Sequence, residues 1–292
     1  MLEPADAKFH RLVPKEAVFE KVGGDFQFTE GPVWIASEQC LLFSDIPASR
    51  IVRWSGAKPG QEISIFRHPS DNSNGLTLDR QGRLVACHHG TRSVTRTERD
   101  GKVVSIADRY EGKRLNSPND VCVRSDGTIY FTDPPYGLLK PEDRELPFQG
   151  VYRITLAGNL NLEVRDFEKP NGLAFSPDEK TLYIDDSAKR HIRAFDVAPD
   201  GRLSNSRIFA NMDDPQGVGS PDGMKLDVTG NIYCTGPSAI WLFDPSGKLL
   251  GKLRPPEKPS NLAWGDTDWK TLYVTARTSV YRIRVNIRGI AP

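Results

Sequence analysis

Short runs of alternating apolar and polar residues recur along the chain, and residues that favour tight turns separate them. In NGLAFSPDEKTLY, which begins at Asn171, two such runs flank the turn SPDEK. Alternation with a period of two is typical of a half-buried β-strand, and turns rich in Asp, Gly and Asn favour hairpins. The arrangement occurs six times at intervals of 39 to 52 residues, with a polar residue in front of each copy: Glu30, Asn74, Asn119, Asn171, Asp222 and Asn261.

Each hairpin is followed by a third strand-like run, such as GVYRIT, and in most copies by a fourth, such as EISIF or LEVRDF. Four antiparallel strands repeated every ~40–50 residues are the sequence pattern of a β-propeller blade. The sequence therefore predicts an all-β, six-bladed β-propeller with four antiparallel strands in each blade. A β-sandwich would not explain six copies of one motif.

The sixth copy leaves too little chain after Val285 for a fourth strand of its own. The run AVFEKVGG, residues 17–24, precedes the first copy and has no other partner. We expect this N-terminal strand to complete the last blade and close the ring, so that residues 1–292 form a single domain. An exposed outer strand such as SVYRIRV offers an edge for pairing across a two-fold axis, so both a monomer and a homodimer stay open.

Composition narrows the partners and the compartment. The formal net charge is +1, from 39 Lys and Arg against 38 Asp and Glu, which favours neither nucleic acid nor a membrane surface as a partner. The apolar runs are far shorter than the roughly 20 residues of a membrane span, and the N-terminus is too polar for a secretory signal. The four cysteines form no CxxC pair, which argues against disulfides or a zinc site and favours the cytoplasm: Cys40, Cys87, Cys122 and Cys234.

The polar residue in front of each copy occupies the same position in every repeat, so the six residues should occupy equivalent positions in the six blades. In a propeller the innermost strand of every blade lines a central channel, so these six side chains would form a ring at one mouth of it. Two carboxylates, Glu30 and Asp222, among four amides make a site of hard oxygen ligands that suits Ca²⁺, Mg²⁺ or Mn²⁺. Asn and Asp before a strand are also common turn formers, so most positions taken alone have a simpler explanation. Glu30 is the exception, because Glu is not a turn former.

Several longer motifs occur along the chain: TEGPVW with LLFSDI, LNSPNDV with IYFTDPPYG, PNGLAFSPDEKTLY, and SPDGMKLD. In this order they resemble the gluconolactonase and senescence-marker-protein (regucalcin) family, most closely its bacterial gluconolactonases, from about Glu30 to Asn261. That family also resembles the calcium-dependent diisopropylfluorophosphatases. The resemblance implies a six-bladed propeller with one divalent cation at the channel mouth, Ca²⁺ by preference, with Mg²⁺, Mn²⁺ or Zn²⁺ as alternatives.

Carried onto this sequence, the family motifs imply a set of four metal ligands: Glu30, Asn119, Asn171 and Asp222. In some members the residue at Asn119 contacts the substrate instead. One position departs from the family pattern, since an acidic residue is expected before the His-Gly of the second copy and His88 precedes His89 here. This departure leaves the fine substrate specificity open and does not touch the implied metal ligands.

Together, the repeat and the resemblance predict a metal-dependent lactonase that opens a sugar lactone, a small-molecule substrate, to the aldonic acid. The cation would polarise the lactone carbonyl, and a carboxylate, either Asp222 or Asp120, would assist the attack of water. Two alternatives are a phosphotriesterase that uses the same metal site and a non-enzymatic calcium-binding propeller. No GxSxG motif lies where a serine hydrolase would need it. The residues expected to hold the substrate are Asn74, His89, Arg114, Asn119 and Tyr136.

Overall fold

Short antiparallel strands make up almost all of the regular structure in the computed structural model, which describes residues 1–56 and 63–292. The chain begins with β1 (Leu2–Pro4), the short helix α1 (Phe9–Leu12) and β2 (Glu20–Gly23). The first four-stranded sheet contains β3 (Thr29–Ile35), β4 (Cys40–Asp45), β5 (Arg50–Trp54) and β6 (Ile63–Arg67). The predicted run EISIF forms β6 from Ile63 onward, and its first residue, Glu62, lies outside the described residues.

The second sheet contains β7 (Ser73–Leu78), β8 (Leu84–His88), β9 (Ser93–Thr97) and β10 (Val103–Ala107). A two-stranded hairpin of β11 (Arg109–Tyr110) and β12 (Lys113–Arg114) follows it. The third sheet contains β13 (Val121–Val123), β14 (Ile129–Asp133), β15 (Gln149–Ile154) and β16 (Leu160–Phe167), with a short 3-10 helix at Pro141–Asp143.

The fourth sheet contains β17 (Pro170–Phe175), β18 (Thr181–Asp186), β19 (His191–Val197) and β20 (Leu203–Asn211). The fifth contains β21 (Met224–Leu226), β22 (Ile232–Gly236), β23 (Ala239–Phe243) and β24 (Leu249–Leu253). The sixth contains β25 (Asn261–Gly265), β26 (Thr271–Ala276) and β27 (Ser279–Arg284). No helix in the described ranges is both long enough and apolar enough to cross a bilayer.

The inner strands of the six sheets meet around one axis. Each of them contacts the inner strand of the next sheet, from β3 to β7, β13, β17, β21 and β25, and β25 contacts β3 again. Six antiparallel sheets that close in this way form a six-bladed β-propeller, so the predicted fold is confirmed.

The last blade is closed by the N-terminal segment, as predicted. Strand β2 pairs antiparallel with β27, with Glu20 opposite Arg282 and Lys21 opposite Tyr281. A strand from the start of the chain thus becomes the outer strand of the sixth blade. Strand β1 was not predicted; it pairs with β24 and gives the fifth blade a fifth strand.

The expectation that SVYRIRV is an exposed outer strand is wrong. This segment forms β27, the third strand of its blade, and it is hydrogen-bonded to β26 on one side and β2 on the other. Because both edges are paired, β27 offers no free edge to a second copy of the chain.

Tight turns end the strands where the sequence predicts them. In DRQGR the Asp79 carboxylate accepts the backbone N–H groups of Gln81 at 3.0 Å and Arg83 at 2.9 Å. Gly82 has a φ of 73°, in the left-handed region that glycine occupies without steric cost. The Asp and Gly of the repeated turns therefore each meet a separate requirement of the hairpin.

Aromatic and aliphatic side chains fill the space between neighbouring blades. Tyr273 of the sixth blade stacks on Trp34 of the first, with ring centroids 5.2 Å apart. Phe9 and Leu12 of α1 pack into the core that the fifth and sixth blades share. Phe9 is fully buried, and burial of such a side chain contributes about 2 kcal/mol.

Glycines allow the inner strands to approach closely at one mouth of the channel. A Cβ atom on Gly31 would lie 2.0 Å from the carbonyl oxygen of Asn74, and one on Gly172 would lie 2.1 Å from that of Asp222. The N–H of Gly172 donates to the same Asp222 carbonyl at 2.8 Å. Asn171 and Gly172 lie within β17, so the turn-only explanation of this NG pair is wrong. The glycine permits backbone contact between blades.

Candidate functional site

Five of the six residues in front of the hairpins line one cavity at this mouth of the channel, which has a volume of about 530 Å³: Glu30, Asn74, Asn119, Asn171 and Asp222. Asn261, the sixth, lies beneath the cavity floor, and its Nδ2 donates to Oε2 of Glu30 at 2.9 Å. The register of the repeat therefore brings together side chains from all six blades.

The asparagine side chains form a continuous chain of hydrogen bonds across the floor. Nδ2 of Asn74 donates to Oδ1 of Asn119 at 2.6 Å, and Nδ2 of Asn119 donates to Oδ1 of Asn171 at 2.5 Å. Asn171 then donates to Oγ of Ser187 at 3.0 Å. These contacts hold the amides in fixed orientations, so the floor is preorganised.

His89 stands beside this chain. Its Nε2 lies 3.0 Å from Nδ2 of Asn74. Burial lowers the pKa of His89 to about 4, so the imidazole is neutral near pH 7 and Nε2 can accept the amide proton. His89 thus presents a neutral ring to the cavity.

The two carboxylates of the floor ionise less easily than exposed carboxylates do. Burial, together with the charges of Asp222 and Asp120, raises the pKa of Glu30 well above its ordinary range. Burial also raises the pKa of Asp222 to about 7. Within the described ranges, Oε1 of Glu30 and Oδ1 of Asn74 are buried without a hydrogen-bond partner.

These features fit a divalent cation bound by oxygen atoms, because such an ion would satisfy the orphaned oxygen of Glu30 and offset the crowded charges. Across residues 1–56 and 63–292 no group of three or more His, Cys, Asp and Glu side chains is arranged to hold a metal ion. A cation at this floor would therefore depend on the amide oxygens of Asn119 and Asn171 as well as on the two carboxylates.

Asp120 lies below the ring and does not reach the cavity surface. It is 2% exposed, its Oδ1 accepts the N–H of Val121 at 2.9 Å, and its Oδ2 lies 3.4 Å from Nδ2 of Asn261. Burial raises the pKa of Asp120 above its ordinary value. Asp185 is also buried in the channel, and burial and the charge of Asp222 raise its pKa well above its ordinary value. Buried acidic groups thus back the floor from below.

Three aspartates hold the loops that enter the site. Asp45, Asp133 and Asp186 end the second strands of the first, third and fourth blades. Each carboxylate accepts the N–H groups of the residues three and two positions before the ring residue of its blade: Gln27 and Phe28, Asn116 and Ser117, and Glu168 and Lys169. The same contact in three blades positions the start of each inner strand.

His88 occupies the equivalent position in the second blade. It is 2% exposed, with Nδ1 2.8 Å from the carbonyl oxygen of Ser70 and Nε2 2.8 Å from Oγ1 of Thr95. These partners enclose the imidazole of His88. The replacement of the expected acidic residue by His88 therefore affects the scaffold behind the cavity wall and not the cavity surface.

The wall of the cavity contains residues that sequence reasoning did not single out. Phe28 and Lys169 stand two positions before ring residues, a register that could have marked them. Ile46 and Arg190 come from the loops between second and third strands, and Lys258 precedes the sixth inner strand. Tyr136, which was predicted, also lines the wall, and Nζ of Lys169 lies 5.7 Å from the centre of its ring.

Arg114 does not join the other predicted substrate residues. It lines a neighbouring cavity of about 550 Å³ that shares Ile46, His89 and Tyr136 with the first. Its guanidinium donates to the carbonyl of Thr91 at 3.1 Å. Arg114 can therefore reach only a ligand that extends past His89 and Tyr136.

The fold and the site define a six-bladed propeller with an oxygen-rich cavity at one end of its channel. The family profile described as the SMP-30/Gluconolactonase/LRE-like region matches residues 28–278. The chain belongs to this family.

Similar proteins cover nearly the whole chain. A gluconolactonase from Zymomonas mobilis subsp. mobilis is 34% identical over 92% of this chain and 82% of its own length. A gluconolactonase from Xanthomonas campestris is 33% identical, with a TM-score of 0.87 over 97% of this chain and 94% of its own. A crystal structure from the Northeast Structural Genomics Consortium is 36% identical, with a TM-score of 0.91 over 100% of both chains.

Proposed function

We propose that this protein is a metal-dependent lactonase that opens a sugar lactone to the aldonic acid. The observation that carries the proposal is the cavity floor, where the buried carboxylate of Glu30, the half-buried carboxylate of Asp222 and two fixed amides converge from four blades. The similarity to gluconolactonases over nearly the full chain supports the reaction class.

The residues that would hold the cation are Glu30, Asn119, Asn171 and Asp222. Carboxylate and amide oxygens favour hard ions, so Ca²⁺ is the first candidate, with Mg²⁺, Mn²⁺ and Zn²⁺ as alternatives. When bound, a divalent cation supplies Lewis-acid polarisation of a carbonyl and compensates the charge of the oxyanion.

Asp222 is the proposed general base. Its side chain lines the cavity and is half-buried, so it can contact both a water molecule and the substrate. The water oxygen forms a bond to the lactone carbonyl carbon while a carboxylate oxygen of Asp222 takes the proton. The ring C–O bond then breaks, and the departing oxygen takes the proton from Asp222 to become the hydroxyl of the aldonic acid, which returns Asp222 to its ionised form.

Asp120, the second carboxylate that the sequence suggested, has a different proposed role. It is buried beneath the ring and contacts Asn261, which in turn donates to Glu30. We assign it to positioning the floor. Asn74, His89 and Tyr136 line the cavity where sugar hydroxyls would lie, and Arg114 would contact only a longer substrate.

A pH-stat assay with D-glucono-1,5-lactone tests the proposal, with the spontaneous opening rate subtracted. EDTA should abolish the enzymatic rate, and one of Ca²⁺, Mg²⁺, Mn²⁺ or Zn²⁺ should restore it. Asp222→Ala and Glu30→Gln should lose the activity while retaining the wild-type circular dichroism spectrum.

Two results would replace the proposal. Hydrolysis of a phosphotriester without opening of any sugar lactone would assign the site to the other hydrolase class. Metal binding detected by calorimetry without turnover of either substrate would identify a non-enzymatic calcium-binding propeller.

A further inference from the structure

Three positively charged side chains in the cavity wall form no ion pair within 4.0 Å among the described residues, although the charge of Lys258 acts at longer range on Asp222. Lys169, Arg190 and Lys258 all line the cavity, and within residues 1–56 and 63–292 their side chains form neither ion pairs nor hydrogen bonds. Lys189, which adjoins Arg190 but does not line the cavity, is paired with Glu168 at 2.7 Å. A cavity wall with several unpaired cations attracts an anionic ligand.

The three cations lie on one side of the ring. Lys169 and Arg190 flank strands of the fourth blade, and Lys258 precedes the inner strand of the sixth. The wall from the first and second blades instead presents Ile46 and His89. A ligand in the cavity therefore meets positive charge at one end and neutral groups at the other.

The other arginines near the mouth are already engaged. The guanidinium of Arg92 donates to the carbonyl of Leu115 at 2.7 Å, and that of Arg114 donates to Thr91 at 3.1 Å. Both arginines stabilise the loops through these hydrogen bonds. Lys169, Arg190 and Lys258 make no such bonds within the described residues, so their charged groups are available to a bound molecule.

Charge balance under the proposed function leads to the same conclusion. Glu30 and Asp222 together carry two negative charges, which would offset one divalent cation. Asp222, on which the charge of Lys258 acts, is then offset by the cation, and Lys169, Arg190 and Lys258 keep no ion pair within the described residues. An anionic group on the substrate would supply their counter-charge.

We infer that the preferred substrate is an acidic sugar lactone, with a carboxylate or phosphate at the end of the sugar remote from the lactone carbonyl. This group lies against Lys169, Arg190 and Lys258, where charge-assisted hydrogen bonds to lysine and arginine bind either anion. The inference rests on the proposed lactonase function and specifies its substrate class.

A matched pair of lactones tests the inference. D-Glucono-1,4-lactone and D-glucaro-1,4-lactone differ by the exchange of a terminal CH₂OH for a carboxylate. The wild-type kcat/KM should be roughly ten- to hundredfold higher for the acidic lactone, as expected for one or two hydrogen bonds to charged groups. Arg190→Gln and Lys169→Gln should each lower the acidic-to-neutral ratio about tenfold, whereas the control Lys189→Gln should keep the wild-type ratio.

Calorimetric binding of open-chain acids separates this inference from the lactonase reaction. Glucarate and 6-phosphogluconate should bind at least about tenfold tighter than gluconate. The tighter of the two identifies the group as carboxylate or phosphate, and higher salt should weaken both relative to gluconate.

The outcomes are distinguishable. Equal kcat/KM values for the two lactones together with equal affinities for the three acids would overturn the inference. An equal loss for both lactones in Arg190→Gln would also overturn it, because Arg190 would then serve no anionic group. If no lactone is opened but glucarate still binds tenfold tighter than gluconate, the proposed function fails and the anion site stands.

Discussion

The two ends of the central channel are built from the same six inner strands, yet they differ in almost every property. The upper end presents carboxylates and amides around a cavity of about 530 Å³. The lower end encloses only about 140 Å³, and its lining is mainly apolar, with Trp34, Leu76, Leu173 and Trp264 among the contributing side chains. Residues 290–292 cover this lower end.

The difference follows from the order of residues within each repeat. Each inner segment starts with a polar side chain, and most continue with apolar ones, as in Asn171-Gly172-Leu173. Because all inner strands run in the same direction along the channel, the polar starts collect at one mouth and the apolar continuations at the other. One sequence motif, repeated six times, thus gives the channel a polar end with the candidate site and an apolar end filled by packed side chains.

The largest expected effect compares a glutamate at each end. Glu30→Gln should lower kcat/KM for the lactone by about 10³-fold, or about 4 kcal/mol, because the floor loses a charge needed for the cation. Glu179→Gln is the matched control, since Glu179 lines the lower end and accepts the N–H of Ser125 at 2.8 Å. Steady-state kinetics should show a change below twofold in the control. A comparable loss in both variants would remove the functional distinction between the ends.

The narrow upper mouth should be sensitive to a single added methyl group. Gly172→Ala places a Cβ atom 2.1 Å from the Asp222 carbonyl oxygen, so the fourth and fifth blades must separate. We expect a loss of about 3 kcal/mol in the free energy of unfolding, measured by urea denaturation.

Gly82→Ala is the control for this substitution. It has a positive φ of 73° but meets no atom within 4 Å, and it should lose only about 1 kcal/mol. Because Gly172 does not have a positive φ, a loss no larger than that of Gly82→Ala would show that the fourth and fifth blades accommodate the added methyl group at little cost.

The aspartate anchors of the upper loops predict a pH dependence. Burial raises the pKa of Asp133 to about 7, although the N–H groups of Asn116 and Ser117 oppose the shift. Because the folded-state pKa exceeds the ordinary value of 3.8, folding favours the protonated form. Its contribution to stability is complete below about pH 4 and is lost as the pH rises through about 7.

The wild-type free energy of unfolding, measured relative to that of Asp133→Asn, should therefore fall by roughly 2 kcal/mol between pH 5.5 and pH 7.5. Urea denaturation of both proteins in a pH series measures this difference. A constant difference across the series would mean that Asp133 ionises as easily in the folded as in the unfolded protein.

The smallest effect is expected from removal of the cover at the lower end. Deletion of residues 290–292 removes the hydrogen bond from Ile290 to the Leu226 carbonyl and exposes part of the apolar lining. The free energy of unfolding should fall by about 1 kcal/mol, and kcat/KM should stay within twofold of wild type. A tenfold loss of activity would show that the lower end contributes to the chemistry.

Much of the architecture could be predicted because its signals are local. Alternation and turn residues identify the hairpins, and six copies at a near-constant interval indicate the blades and the ring. The six polar residues around the channel mouth could be predicted because they occupy the same position in each copy of the repeat. Strand β1 was missed because the three residues of LEP carry no periodic pattern. The contact that requires glycine at Gly172 was not predicted, because the adjacent blade is far away in the sequence.

The sequence by itself determined which polar residue stands at or near the start of each inner strand, and so which side chains could meet at one mouth of the channel. Only the tertiary structure decided how these side chains pair. It placed Asn261 within 2.9 Å of Glu30, although 231 residues separate them, and withdrew Asp120 and Arg114 from the cavity that receives Asp222. Among the described residues it also left Lys169, Arg190 and Lys258 without an ion pair. Hydrogen bonds and charges act over a few ångströms in space, and distance along the chain does not specify distance across the ring.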